Sequence, residues 1–248
     1  MLSKITKSLR GVGSALHGRQ DHGSETGIPN YVKRYQPLKE TLERARRAGL
    51  SVGDYIDATF QVPGATQATI DKLAAAGILG TDVRSVCEIG PGSGRYLERI
   101  MRRCPVSKYE IYETDGTWSE WLSDTFGVTA RNADGVSLVE TADCSIDLVH
   151  AHKVFVYLPS IVICRYFAEM IRVARAGGKI VFDCMSEACM ADTVLEKWIA
   201  AGVYYPCMLS REFVVKYFER RGCRLLTSFF APMLPGESEY LVFEKITA

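Results

Sequence analysis

The residues of this chain that could do chemistry are a run of alternate glycines, three acids near it and a pair of histidines. Glu88-Ile89-Gly90-Pro91-Gly92-Ser93-Gly94 sets a carboxylate two residues ahead of the first glycine. Gly90, Gly92 and Gly94 remove the Cβ atoms that would hold the backbone away from a ligand. A loop of this kind between a strand and a helix presents backbone N–H groups at the helix amino terminus. Strand-to-helix turns also take glycine for purely steric reasons, so the neighbours decide. The spacing is not the dinucleotide fingerprint G-x-G-x-x-G, because Arg95 stands where its last glycine would be. Glu88 suits a cationic or amino-bearing ligand better than a pyrophosphate. In Asp147-Leu148-Val149-His150-Ala151-His152-Lys153, alternation along a strand sends His150 and His152 to one side. An imidazole held there can take a proton.

Elements must position these groups. Val83, Val86 and Ile89 suit a buried strand over 83–89, and Arg95–Arg103 reads as a helix with Tyr96, Leu97, Ile100 and Met101 on its apolar face and Arg95 elsewhere. The chain then alternates: strand 108–114, helix 117–126, strands 128–133 and 146–151, helix 160–174, strand 178–185, helices 191–201 and 210–221, strands 223–231 and 239–246. That order implies a parallel sheet with helices on both faces. Pro232 to Ser238 is too short for a parallel crossover, so the last strand runs antiparallel. Ahead of the sheet, helices are expected over Pro37–Ala48, Val52–Phe60 and Thr66–Ala76, the last opened by Thr66 as a cap. Tyr55 and Phe60 read either as a pocket wall or as core aromatics.

With Glu88 to Gly94 matching without a gap, the chain resembles the class I S-adenosylmethionine-dependent methyltransferases over roughly residues 83–246. The resemblance implies an α/β fold: a Rossmann-like seven-stranded methyltransferase sheet with an antiparallel last strand and an N-terminal helical cap. It implies S-adenosylmethionine as cofactor. Glu88, Gly90, Gly92, Gly94 and His150 would then line the cofactor, and Glu113, closing Tyr109-Glu110-Ile111-Tyr112-Glu113, would bind the ribose hydroxyls. Asp134 would accept the adenine amino hydrogens while Gly135 offers its backbone N–H; the other reading of Asp134-Gly135 is a plain turn. His152, one step further out of the sheet than His150, is the candidate catalytic base for a hydroxyl acceptor. An aromatic or histidine near Tyr157 fits the family, and Asp183 and Tyr204-Tyr205-Pro206 are candidates to meet the acceptor.

Composition narrows the partners. A net charge of +1 over 248 residues argues against general nucleic-acid binding. The eight cysteines are scattered with no C-x-x-C, which reads as free thiols in a reducing cytoplasm with no metal site, an ion between Asp183 and Glu187 being the one alternative. Residues 1–27 carry Lys4, Lys7, Arg10 and Arg19 with Leu2, Ile5, Leu9, Val12 and Leu16 at helical spacing, a pattern for a peripheral membrane foothold, a partner helix, a cover for the core or, given Gly11, Gly13 and Gly18, a frayed flexible terminus. No run of eighteen apolar residues predicts a membrane span. The expected organisation is a basic segment 1–27, a helical cap 28–80 and a methyltransferase domain 81–248. The expected function is O-methylation of a sugar or glycan, or of a small hydroxylated metabolite. A non-catalytic S-adenosylmethionine-binding module and an NAD-dependent oxidoreductase are the alternatives.

Overall fold

Caps and turn residues cut the chain into elements close to those expected. The computed structural model describes residues 36–202 and 205–246; the basic segment 1–27, residues 28–35 of the expected cap and Tyr204 lie outside the described residues. In chain order the elements are α1 (Leu38–Ala48), α2 (Val52–Phe60), α3 (Ala65–Ala75), β1 (Ser85–Ile89), α4 (Arg95–Arg103), β2 (Lys108–Tyr112), α5 (Gly116–Phe126), β3 (Thr129–Ala130), β4 (Ile146–Ala151), α6 (Ser160–Val173), β5 (Ala174–Cys184), α7 (Asp192–Ala201), α8 (Arg211–Glu219), β6 (Cys223–Met233) and β7 (Gly236–Lys245). Ser51, Asp115 and Ser210 cap α2, α5 and α8 by accepting backbone N–H groups of the first turn.

The strands form one sheet in the order β3-β2-β1-β4-β5-β7-β6. The first five are parallel, and β7 runs antiparallel to both β5 and β6, as the short final connection required. That connection is shorter than expected. Pairing continues through Pro232–Glu237 to Met233–Gly236, so only Leu234 and Pro235 remain as the turn. β3 keeps two exposed residues rather than six, because only Thr129 and Ala130 find partners, Glu110 and Ile111, at the sheet edge. β5 starts at Ala174, before the expected 178, through an irregular pairing of Ile146 with Ala174.

Each face of the sheet has its own core. Under α6 and α8, Phe155, Phe167, Phe182, Phe218 and Phe243 interlock, with Phe218 and Phe243 stacked at 4.3 Å. Each such side chain contributes about 1.5–3 kcal/mol on burial. Under α3 and α4, Ile70, Leu73, Leu97 and Ile100 pack on Val86, Leu148 and Val242. Two expectations about this side are corrected. Arg95 is buried rather than solvated, since α2 lies over it: its Nη1 is 3.0 Å from Asp57 Oδ1, and a Cβ at Gly53 would sit 3.0 Å from Arg95 Cβ. Thr66 does not cap α3, which follows the left-handed Gly64; its hydroxyl donates instead to Asp57 at 2.6 Å. No helix among the described residues is long and apolar enough to cross a membrane.

Candidate active site

The glycine loop leaves β1 with Gly90, Gly92 and Gly94 at φ values of 61°, 52° and 70°, a region L side chains rarely enter. Space forbids side chains as well: a Cβ on Gly90 would lie 2.7 Å from Val154 Cγ2, and one on Gly94 2.6 Å from Leu122 Cδ2. Glu113, just past β2, ties this loop down. Its Oε2 accepts the Gly92 N–H at 2.9 Å and its Oε1 the Asp115 N–H at 2.9 Å. Burial pushes the Glu113 carboxyl above its ordinary pKa against the pull of those bonds. The Ser93 hydroxyl is buried here with no hydrogen-bond partner among the described residues.

Asp134 is arranged differently. It is exposed, its Oδ1 accepts the N–H groups of Val136 and Ser137 at 2.8 Å each, and its Oδ2 accepts the Ser137 hydroxyl at 2.6 Å. Gly135, at φ 79°, completes this turn. The structure thus brings Glu113 to the glycine loop and folds the Asp134 carboxylate back onto its own turn.

The two histidines do share a side, the one covered by α4. Glu88 pairs with His150 across β1 and β4, and His152 lies one residue past the last pair, Ile89–Ala151. Tyr109 from β2 donates its hydroxyl to Glu88 Oε2 at 2.7 Å and lies 3.0 Å from His150 Nε2. His150 is therefore part of a buried Glu–Tyr–His wall beneath the loop. His152 stacks on Tyr96 of α4, ring centroids 3.7 Å apart, and its Nδ1 is 3.1 Å from the Tyr240 hydroxyl of β7. The Tyr96 and Tyr240 hydroxyls are 3.2 Å apart. His150 Nδ1 and His152 Nε2 are buried with no hydrogen-bond partner among the described residues, His150 Nδ1 lying 3.9 Å from Glu88 Oε1. Buried polar groups ordinarily find one.

Burial pushes Glu88 up to about 8 and His150 down to about 3. It holds His152 well below the ordinary imidazole value, with the charges of His150, Arg95 and Lys153 acting the same way. The linkage has opposite signs. The folded chain keeps the Glu88 proton that the unfolded chain releases from pH 4.5 upward, so this group's contribution to stability is lost as pH rises from 4.5 through about 8. The neutral imidazoles lower stability as pH falls below 6.5. Denaturant titrations between about pH 5 and pH 8 are expected to show a smaller loss of stability toward high pH in Glu88→Gln than in the wild type. Equal slopes for the two proteins would place the Glu88 proton elsewhere.

Val156, Met185, Cys189, Trp198 and Met233 form a separate apolar cluster, and Tyr205 packs edge-on against Tyr157 at 4.8 Å and Trp198 at 5.7 Å. Asp183 is not open to an acceptor. It is fully buried, accepting the Lys153 N–H at 2.6 Å and the Ser238 hydroxyl at 2.6 Å. Glu187 is exposed and accepts the Arg211 N–H, so it does not join Asp183 around an ion. Among the described residues no group of three or more potential ligands is placed to hold a metal. Tyr55 and Phe60 face each other edge-on across α2 at 6.4 Å. Sequence reasoning missed Tyr96, Tyr109, Tyr240 and Lys153. The available signal was tyrosine instead of phenylalanine at positions reading as buried.

Residues 87–182 match the family described as a methyltransferase domain. No curated protein matches the chain. Among solved structures, magnesium protoporphyrin IX methyltransferase from Synechocystis PCC 6803 with bound SAH superposes at a TM-score of 0.57 and 11% identity, covering 98% of this chain and 95% of that one. An O-methyltransferase family protein from Burkholderia thailandensis gives 0.58 and 12%, with 85% and 68% covered. An S-adenosylmethionine-dependent methyltransferase from Mesorhizobium loti gives 0.56 and 16%, with 71% and 97% covered. At these identities the structural likeness is one of fold.

Proposed function

This chain carries a class I S-adenosylmethionine-dependent methyltransferase domain, and from that premise we propose that it methylates an oxygen of a small hydroxylated metabolite or of a sugar, with His152 as the base. The observation that carries the proposal is the buried, unpartnered Nε2 of His152, one residue past Ala151, whose β1 partner Ile89 leads into Gly90. The cradle fits the cofactor: three left-handed glycines leave no Cβ between backbone and ligand, and the Ser93 hydroxyl is free to bond it. In this reading Gly90, Gly92 and Gly94 carry the cofactor on their backbone and Glu113 takes the ribose hydroxyls. Gly135 and Asp134 border the adenine, and Glu88 and His150 form the wall behind the loop. Helices α1 to α3 act as the cap over α4.

Bound S-adenosylmethionine supplies an electrophilic methyl group on a positively charged sulfur, a charge lost on transfer. The chain's part is to hold the acceptor and take its proton. In the tautomer that donates Nδ1–H to the Tyr240 hydroxyl, 3.1 Å away, the imidazole presents a lone pair at Nε2. The acceptor hydroxyl gives its proton there as the O–C bond forms. The imidazolium then restores the positive charge in the same site, which offsets the low basicity imposed by burial.

Isothermal titration with S-adenosylmethionine, S-adenosylhomocysteine and NAD tests the cofactor reading, with binding of the first two and none of the third expected. Glu113→Ala should weaken both by about 1.5–3 kcal/mol, roughly ten- to hundredfold, because the bonded carboxylate is lost. An unchanged dissociation constant removes the ribose role, and binding of NAD alone overturns the whole reading. Hydroxylated sugars and phenols are the acceptors to screen, with the methylated atom identified by mass spectrometry and NMR.

A further inference from the structure

Lys153 separates His152 from Val154, and its backbone is strained. It has φ 58°, one of two non-glycine residues with positive φ among those described. For a long side chain this conformation is uncommon and persists where surrounding contacts impose it. The contacts are specific. Asp183, at the end of β5 and fully buried, accepts the Lys153 N–H at 2.6 Å with Oδ1, while its Oδ2 lies 3.0 Å from the Lys153 ammonium. Ser238 of β7 completes the clamp: it donates to Asp183 Oδ2 at 2.6 Å and accepts from Lys153 Nζ. The ammonium side chain is only 8% exposed and sits 5.5 Å from the centre of the Tyr240 ring, the ring whose hydroxyl meets His152 Nδ1.

Both neighbours of Lys153 are committed to the site. On one side the His152 imidazole is stacked on Tyr96. On the other, Val154 stands so near Gly90 that a single added Cβ would collide with it. The direction of the chain at residue 153 therefore fixes both where the imidazole points and how closely the strap after β4 approaches the first glycine.

We propose that Lys153 is a positioning residue of the transfer site, whose left-handed backbone, clamped by Asp183 and Ser238, aims His152 and seats Val154 against the glycine loop. The proposal rests on the methyltransferase reading for what the seated loop binds, but not for the geometry itself. Its core is conformational, so two substitutions that both delete the ammonium separate it from a charge effect. Glycine adopts a left-handed backbone readily and a β-branched residue resists it.

Lys153→Gly should bind S-adenosylhomocysteine nearly as the wild type does, whereas Lys153→Val should bind it about tenfold more weakly than the glycine variant, the scale set by a left-handed L-residue against glycine. Thermal unfolding identifies a variant that is not folded. If the valine variant fails to fold, Lys153→Ala carries the same comparison with a ratio to glycine of about fivefold. Equal loss in the glycine and valine variants would assign the effect to the ammonium and overturn the proposal; no loss in either would overturn it too. The second readout is the His152 tautomer, from imidazole nitrogen NMR assigned against His152→Ala. The glycine variant should keep the wild-type tautomer and the valine variant should not, and identical behaviour in the two overturns the proposal. That spectrum needs no ligand. A wild type that binds neither S-adenosylmethionine nor S-adenosylhomocysteine refutes the functional reading, and the tautomer comparison still decides the role of Lys153.

Discussion

Replacing His152 by alanine is expected to slow methyl transfer at saturating acceptor by about 10²–10⁴-fold, the range for loss of a positioned general base, with S-adenosylhomocysteine affinity nearly unchanged. The split follows from where the ring sits. Its contacts are Tyr96, Tyr240 and His150, none of them in the glycine loop, so its loss removes a proton acceptor and leaves Glu113 on Gly92. Tyr240→Phe is the companion variant. It keeps the packing, removes the hydroxyl 3.1 Å from His152 Nδ1, and should lower the turnover number with little change in KM if that hydroxyl sets the tautomer. Full activity of His152→Ala at every pH would leave orientation as the whole mechanism, for which effective molarity can supply about 7–11 kcal/mol.

Asp57→Ala is expected to destabilise the protein by about 3–5 kcal/mol, the range for removing one partner of a buried ion pair. The Arg95 and Asp57 side chains are 8% and 5% exposed, and Asp57 also accepts the Thr66 hydroxyl and lies 3.7 Å from Arg99. Truncation would leave the Arg95 charge buried at the first residue of α4, directly after Gly94. Arg44→Ala, which removes the exposed pair with Glu40 on α1, is the contrast, with about 0–1 kcal/mol expected. Urea denaturation of both variants measures the difference. A loss below about 1 kcal/mol for Asp57→Ala would mean that water reaches the pair in solution. Replacing both Asp57 and Arg95 by leucine and methionine should recover part of the loss, since both buried charges go while the Thr66 hydroxyl still loses its acceptor.

The parts of this site legible in the sequence are those set by local rules. Glycine at alternate positions after a β-branched run gives the loop, period-two alternation puts His150 with His152, and loop length alone reverses β7. Glu113 was singled out by the family resemblance rather than by a local rule, and it stands just past β2. What escaped was set by partners remote in the chain. Tyr96 and Tyr240 are 144 residues apart yet their hydroxyls meet, and no spacing rule links them. Arg95 looked like a helix-surface arginine because nothing local announces that α2 will cover it. Asp134 was ambiguous for the opposite reason: the same Asp-Gly pair serves a turn and a ligand equally well, and the turn takes both of its carboxylate oxygens. A sequence pattern reports which way a side chain faces; it does not report what arrives opposite.

The strand order gives the site a history during synthesis. β7 lies between β5 and β6 although it is made after both, so the final hairpin has to dock onto β5 as a unit. Until β7 is made, β5 presents a bare edge, His152 lacks Tyr240 and Lys153 lacks Ser238. A fragment stopping short of β7 would present an unpaired β5 edge open to association with other chains.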